Sequence, residues 1–585
     1  MTIENSSIAG DGHRPPQCTG ADTSLHDDAE LNRLAALSLA VETAVIEQAA
    51  GPEAIADDDQ SIDSRAGSQT DVLIELAEVA NFFHAPDGAG YADLDVEGHR
   101  ETWGIRSRGF QHWLSRAYYQ ATRGAPNAEA MQSALSALEA RARFDGPERV
   151  VHIRVGALGG KLYVDLCDDT WRVVEIDATG WRMIDNPPVR FRRAAGMQSL
   201  PGPVPGGSID ALRRFLNLRS LNEFVMTVAW ALACLRDRGP YPILVLSGEQ
   251  GAAKSSFAKV LRSLIDPNAA PLRALPREER DLFIAANNGH VLAFDNVSVL
   301  PPWMSDTLCR LATGASFATR RLYSDQDEVL FDAARPVILN GIEDIVNRPD
   351  LADRAIFLTL ESIPAERRRP ENALWQEFEA ERPRVLGALL DAVARGVAML
   401  PDTKLGKLPR MADFALWATA CETALWPAGT FCAAYSGNRE DAAEDVLGAD
   451  PIANAVRALM AQRAEWTGTA SDLLRALVGP AGPRSPRALS GQLRRVATFL
   501  RETGIEVTFA KEGHARTRVI RIARAPEDAG PLPSAPTASS AVLAQPSPPK
   551  GFAALRARAV ASDADASAMA SPDRDRPRQT VAIKR

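Results

Sequence analysis

The chain has 585 residues, 45% of them hydrophobic, with a formal net charge of −9 and a pI near 5.6. That length holds several domains with real cores, and the acidic balance excludes a broad nucleic-acid-coating surface while leaving room for a local basic groove. No apolar run reaches the roughly eighteen residues a transmembrane helix needs, no apolar signal segment opens the chain, and six cysteines with no Cys-x-x-Cys pair read as free thiols of a reducing cytoplasm.

Residues 1–70 are rich in Ala, Asp, Ser and Gly and are expected to be largely disordered. Residues 71–235 read as an α+β domain. Helical periodicity runs through 108–142, with Trp113, Leu114, Ala117 and Tyr118 on one face. Strand-like runs follow at 150–155, 161–166 and 171–176, the first two joined by a turn at 157–160. Arg190, Arg192 and Arg193 beside Phe191 could bind a nucleic-acid backbone but read more simply as a solvated charged edge, and His84, Asp87, Asp93 and His99 are too scattered for a metal site.

Residues 236–362 carry the chemistry. The apolar run 243–246 leads through Ser247, Gly248, Glu249, Gln250, Gly251, Ala252 and Ala253 into Lys254, Ser255 and Ser256. A buried strand, a small-residue loop and a helix opening on Lys-Ser is the layout of a phosphate-binding P-loop. Backbone N–H groups wrap the β-phosphate, Lys254 bridges the β- and γ-phosphates, and the Ser255 hydroxyl ligates Mg²⁺. Ala253 stands where Gly is usual and can hold the position if its φ stays negative. The next apolar run, 290–294, ends in Asp295, read as the acid on the Mg²⁺ side. A helix-capping Asp is the plainer alternative. Asn296 stands where a water-polarising acid often follows, which leaves Glu343 and Asp344 as substitutes.

Between these strands and the next, residues 314–331 alternate and turn at Ser324-Asp325. A hairpin carrying Arg320 and Arg321 fits, either facing nucleic acid or forming a charged edge. A third buried strand, 336–340, ends in Asn340, placed either to sense the γ-phosphate or simply to turn the chain. Arg348 and Arg354 border a last apolar strand. Either could serve as an arginine finger, perhaps across a subunit boundary, or form local pairs with Asp350 and Asp353.

Residues 363–450 read as a helical bundle with Trp375, Trp417 and Trp426 in its core. In 451–524 an amphipathic helix at 485–500 precedes strands at 505–509 and 518–522, the end of a winged helix. Arg487, Arg494 and Arg495 on the helix, with Lys511, His514 and Arg516 on the wing, would meet phosphates. The tail 525–585 is rich in Pro, Ala and Ser and is expected to be disordered. The fold class is thus multidomain α/β: a P-loop NTPase core with a parallel sheet, a helical bundle and a C-terminal winged helix, between disordered termini.

In motif order, 240–360 resembles the superfamily 3 helicase and AAA+ type ATPase module of phage and mobile-element primase-helicases. The phrasing Gly-Glu-Gln-Gly-Ala-Ala-Lys-Ser, Ala-Phe-Asp-Asn, Arg-Pro-Val-Ile-Leu-Asn-Gly-Ile and Leu-Ala-Asp-Arg is similar to that of bacterial ATP-binding proteins of mobile elements. The resemblance implies ATP, Mg²⁺, a homo-oligomeric ring and a DNA partner, single-stranded in the helicase reading. It implies a DNA-dependent ATPase acting in replication of a phage or integrated element. Ala253 and Asn296 also support a nucleotide-gated switch that hydrolyses weakly. A small-molecule kinase is disfavoured by the appended domains and by the lack of a lid-like arginine cluster beside the loop.

Overall fold

The computed structural model describes residues 68–314, 317–320, 328–331, 334–342, 345, 346, 348–477, 485–512 and 517–524, with only the backbone for 317–320, 328–331, 446 and 449. The expected disordered termini, Arg321, the Ser324-Asp325 turn, Glu343, Asp344, His514 and Arg516 lie outside the described residues.

Helix α1 (Gln69–Leu76), the antiparallel strands β1 (Asn81–His84), β2 (Gly90–Val96) and β3 (His99–Gly104), and helices α2 (Arg108–Thr122) and α3 (Ala128–Phe144) share a core of Leu73, Ala92, Phe110, Leu114 and Leu138. The helix expected from 108 to 142 is two helices. Pro126 disfavours helical backbone in the residue before it, Arg123 ends α2 in the left-handed region, and Asn127 caps α3 by accepting from Ala130 N at 2.7 Å. Asp93 is buried and neutralised, accepting from Thr102 Oγ1 at 2.7 Å and Arg190 Nε at 2.8 Å.

The strand expected over 150–155 is two pieces, β4 (Val151–His152) and β5 (Val155–Leu158). β5 joins β6 (Lys161–Asp165), β7 (Val173–Asp177) and β8 (Gly180–Ile184) in an antiparallel sheet in chain order, while β4 pairs with β9 (Arg190–Phe191). Gly159 and Gly160, at φ 60° and 78°, make the expected turn between β5 and β6. The buried helix α4 (Leu221–Cys234) then leads to the central sheet.

That sheet comprises β10 (Ile243–Gly248), β11 (Leu292–Phe294), β14 (Val337–Asn340) and β15 (Ala355–Leu360), all parallel, in the order β11-β14-β10-β15. Alternate residues face opposite sides of a strand. Leu244, Leu246, Ile338 and Ile356 bury one face against α5 (Lys254–Ile265), through Phe257 and Leu261. Ile243, Val245, Val337 and Leu339 bury the other against α6 (Glu279–Asn288) and α7 (Pro302–Thr313), through Leu282 and Leu308. Coverage on both faces explains why these strands read as continuous apolar runs. β12 (Phe317–Arg320) and β13 (Glu328–Phe331) form the expected antiparallel hairpin after α7, and the short helix α8 (Pro349–Ala352) precedes β15.

Helices α9 (Glu371–Met399), α10 (Ala412–Glu422) and α11 (Thr430–Ala449) pack against α4, where Trp417 is buried and donates to Leu232 O at 2.9 Å. The last segment has helix α12 (Pro451–Ala461), strand β16 (Glu465–Gly468), helices α13 (Ala470–Ala476) and α14 (Pro486–Glu502), and strands β17 (Ile505–Glu512) and β18 (Thr517–Arg524). Its sheet has the order β16-β18-β17. Ser485 caps α14, which buries Leu489, Leu493, Val496 and Leu500 along one side.

One buried ion pair ties the antiparallel sheet to the parallel one. Arg154, between β4 and β5, donates from Nε to Asp266 Oδ1 at 3.0 Å, both side chains being fully buried. Arg154 also donates to the carbonyls of Asp165 and Gln198, and Asp266 Oδ2 accepts from the backbone N–H of His290 and Val291, each at 3.0 Å. Asp266 caps the C-terminus of α5, and His290 leads into β11, so this pair sits behind both elements that carry the candidate site.

Candidate functional site

The link from β10 to α5 is dictated by local backbone needs. Gly248 has φ 142°, and a Cβ there would meet Leu360 O at 2.2 Å, so no side chain fits. Gly251 has φ 87°. Ala253 departs from expectation: it sits at φ 61°, ψ 30°, in the left-handed region, instead of keeping a negative φ. The turn onto α5 demands that conformation whichever residue holds it. The first N–H groups of α5 have no partner within the helix and point into the loop with its positive dipole end.

Lys254 Nζ crosses the loop mouth, donating to Gly248 O at 2.7 Å and Glu249 O at 2.8 Å. Partial burial draws its ammonium below the ordinary lysine value, with the Asp295 carboxylate opposing. Ser255, one residue on, donates to both Asp295 carboxylate oxygens, at 3.2 and 3.0 Å. Asn340 Nδ2 reaches the same pair, Asp295 Oδ1 at 2.5 Å and Ser255 Oγ at 3.2 Å. Strand register explains the meeting: Leu246 pairs with Asn340 and Phe294 with Leu339, so β10, β11 and β14 end side by side. Asn340 is only 1% exposed and its Oδ1 is buried without a partner. Asn296 is exposed at φ 55°.

Arg354 lies elsewhere. It precedes β15, and its carbonyl accepts from Ile243 N at the start of β10, so it stands at the opposite end of the sheet from Lys254. Six residues of strand put about 20 Å between those ends. Arg354 Nη1 donates to Asp350 O at 2.5 Å, while Arg348 pairs with Asp306 at 2.9 Å.

Sequence reasoning missed a strap over the loop. After β15 the chain runs past Gly251: Ile363 N donates to Gly251 O at 3.3 Å and Ser362 Oγ to Glu249 Oε2 at 2.9 Å. Asn217 Nδ2 bridges Ala252 O and Glu361 O at 3.0 and 2.7 Å. The strap carries Arg367, Arg368 and Arg369, and Arg368 Nη2 lies 3.5 Å from where a Gly251 Cβ would be. The sequence reading found no lid-like arginine cluster beside the loop; the structure brings one arginine of this run, Arg368, to it. The signal was the Arg-Arg-Arg run itself, which reads as solvated charge until the fold folds it back.

A cavity of about 890 Å³ opens beside the loop base, lined by Val245, Ser247, Glu249, Phe357, Thr359 and Asn438. It touches neither Lys254 nor Asp295.

The expected DNA contacts are placed as follows. Arg320 pairs in register with Glu328 on the β12–β13 hairpin. Arg487, Arg494 and Arg495 are exposed on α14, and Lys511 is exposed near the end of β17. Arg494 stacks on Phe509, its guanidinium carbon 4.0 Å from the ring centre, which ties the helix to the strand pair.

Comparison with known proteins gives two family matches. Residues 209–445 match the actinomycete integrative conjugative element replication protein, and residues 452–540 match the AICE RepA C-terminal domain. The curated proteins contain no match. Among solved structures, the apo C-terminal region of NrS-1 is 10% identical, covers 78% of this chain and 98% of its own, and has a TM-score of 0.35. SCCmec type IV Cch, described as an active helicase, is 12% identical, covers 76% and 92%, and has a TM-score of 0.39. Likeness at this level decides nothing about the present chain. The two family matches follow one another along the chain, over residues 209–445 and 452–540, and in these stretches the chain is similar to the RepA replication proteins of actinomycete integrative conjugative elements.

Proposed function

We propose that this chain is a replication protein that binds ATP with Mg²⁺ between β10 and α5, and couples hydrolysis to work on DNA as a superfamily 3 type motor. The observation that carries the reading is the convergence of Lys254, Ser255, Asp295 and Asn340 at adjacent strand ends. A left-handed turn at Ala253 and the N-terminus of α5 complete a phosphate cradle.

The residues suit a small hard cation. Ser255 Oγ and the Asp295 carboxylate are oxygen donors within one coordination sphere of each other, and Mg²⁺ takes one or two such ligands while keeping several waters. Bound there, the ion would neutralise phosphate charge. Lys254, now donating to loop carbonyls, would turn to the β- and γ-phosphates. Asn340 would hold Asp295 in place through Nδ2, leaving its unpartnered Oδ1 to accept a hydrogen bond from a water. Arg354 and Arg348, at the far end of the sheet, would reach a phosphate only on a neighbouring subunit, which agrees with a ring. Helix–strand–helix–helix–hairpin order in 451–524, with arginines exposed on α14, supports a winged helix that docks DNA.

A second reading, a switch that binds ATP but hydrolyses slowly, is favoured by one observation: Asn296 occupies the exposed position after Asp295 where an acid would polarise water. One assay separates the two readings. ATP turnover is measured with and without single-stranded DNA, with Lys254→Ala as control. Strong stimulation by DNA supports the motor, and tight binding with slow, DNA-independent turnover supports the switch. Wild-type turnover in Lys254→Ala refutes both. For the docking surface, Arg487→Ala with Arg495→Ala should lower DNA affinity uniformly across sequences and flatten its salt dependence by about one unit per lost contact.

A further inference from the structure

We propose that Arg368, on the strap behind the loop, is a second cation for the nucleotide's outer phosphates, supplied by the same chain as the loop. The inference rests on the ATP reading above and adds a residue to it.

Three contacts fix the strap against the loop from outside. Ile363 N donates to Gly251 O, Ser362 Oγ donates to Glu249, and Asn217 joins Ala252 O to Glu361 O. The chain then makes one turn at Ala365–Arg367, and Arg368 N donates back to Ala365 O at 3.3 Å. The Arg368 side chain is thereby aimed at the loop apex. Its Nε donates to Ile363 O at 3.2 Å, and its Nη2 stands over the bare Cα face of Gly251.

The chemistry is unbalanced in a way that invites an anion. A triphosphate carries several negative charges, and Lys254 is the single cation within the loop itself. Among the described residues no carboxylate is recorded in an ion pair with Arg368, whereas its neighbour Arg369 is held by Glu377. Glu249, the loop's own carboxylate, is turned to Ser362. A guanidinium anchored at Nε still offers its two terminal nitrogens, the fork that binds phosphate oxygens in pairs. The lack of a side chain at Gly251 lets it approach. A larger residue there would block this path as well as strain the φ of 87°.

The test is binding of a fluorescent ATP analogue to the full chain without DNA, so that turnover is not the readout. Arg368→Ala should weaken binding at least tenfold, and Arg368→Lys should recover part of the loss. Millimolar guanidinium should restore binding to Arg368→Ala but not to Lys254→Ala. Arg367→Ala, changing an exposed neighbour on the same strap, should bind as wild type, and ligand-free melting curves of all variants should coincide. If wild type binds, Lys254→Ala does not, and Arg368→Ala binds normally, this inference fails while the ATP reading stands. If Arg367→Ala loses as much as Arg368→Ala, or guanidinium rescues nothing, Arg368 only braces the strap and the inference is overturned. If wild type binds no ATP, both readings fall.

Discussion

Replacing Ala253 by Gly should make the protein more stable, because the present residue is strained. At φ 61°, ψ 30° its Cβ crowds the following carbonyl, at a cost of about 1–2 kcal/mol for an L-residue. Glycine avoids that cost but gives the unfolded chain about 0.4–1 kcal/mol of extra entropy. The difference leaves Ala253→Gly about 0.8 kcal/mol more stable, roughly a fourfold gain in the local folding constant. A urea titration should show a higher midpoint with an unchanged slope, since the same surface is exposed on unfolding. ATP affinity should change by less than about twofold, because alanine already holds the turn that glycine would make. Ala253→Val should lower the midpoint and impair binding, since a β-branched residue is poorly tolerated at positive φ. A lower midpoint for the glycine variant, or a harmless valine, would mean that the loop does not use the left-handed turn and that its phosphate cradle is drawn wrongly.

Asp295→Asn should keep nucleotide binding within about tenfold but lose Mg²⁺-dependent turnover, as a neutral amide is a poor ligand for a hard cation. A magnesium titration with unchanged activation would place the metal acid elsewhere. The His290 ring is fully buried and donates to Cys234 O, and burial lowers its pKa to about 4. Below the ordinary histidine value near 6.5 the unfolded chain takes up a proton that the folded chain refuses, so stability should fall by about 3 kcal/mol as pH drops from 6.5 to 4. Urea midpoints should show this decline in wild type and a flatter profile in His290→Gln. Equal profiles would exclude the histidine as its source. Arg154→Ala should cost about 3–5 kcal/mol by leaving Asp266 charged and buried without its cation. Arg154→Met combined with Asp266→Asn should cost less than Arg154→Ala alone, as an Asn oxygen can still accept from His290 and Val291 N–H. A milder effect from the single change would refute the pairing.

The central sheet was legible because each strand is an apolar run covered on both faces, and the loop because Gly248 and Gly251 punctuate a strand-to-helix step. Asp295 and Asn340 could be read as strand-end polar groups, and register alone brings them to Ser255. Position 253 was misread because residue type reports which φ is easy, not which φ the turn requires. Arg354 looked close to the chemistry on the page of the sequence. In a parallel sheet, however, the residue before a strand and the residue after it lie at opposite ends. Arg368 was hidden for the converse reason. Over a hundred residues separate it from Gly251, and a charged run carries no local sign of what it folds against. The break between α2 and α3 could have been found from Pro126, whose effect on Ala125 outweighs the helical periodicity on either side.

The Arg154–Asp266 pair bears on heredity as well as on folding. The replication-protein match begins at residue 209, yet the carboxylate behind the loop helix takes its counter-charge from a residue well upstream of that point. The matched stretch is therefore not a free-standing cassette. A recombination event that joined residues 209–540 to an unrelated leader would strand Asp266 in the interior and weaken both the helix opening on Lys254 and the strand ending at Asp295. A crossover between β4 and residue 209 would be tolerated only where the incoming partner also brings a guanidinium to the place of Arg154. The stretch that must fold together is longer than the stretch that holds the site.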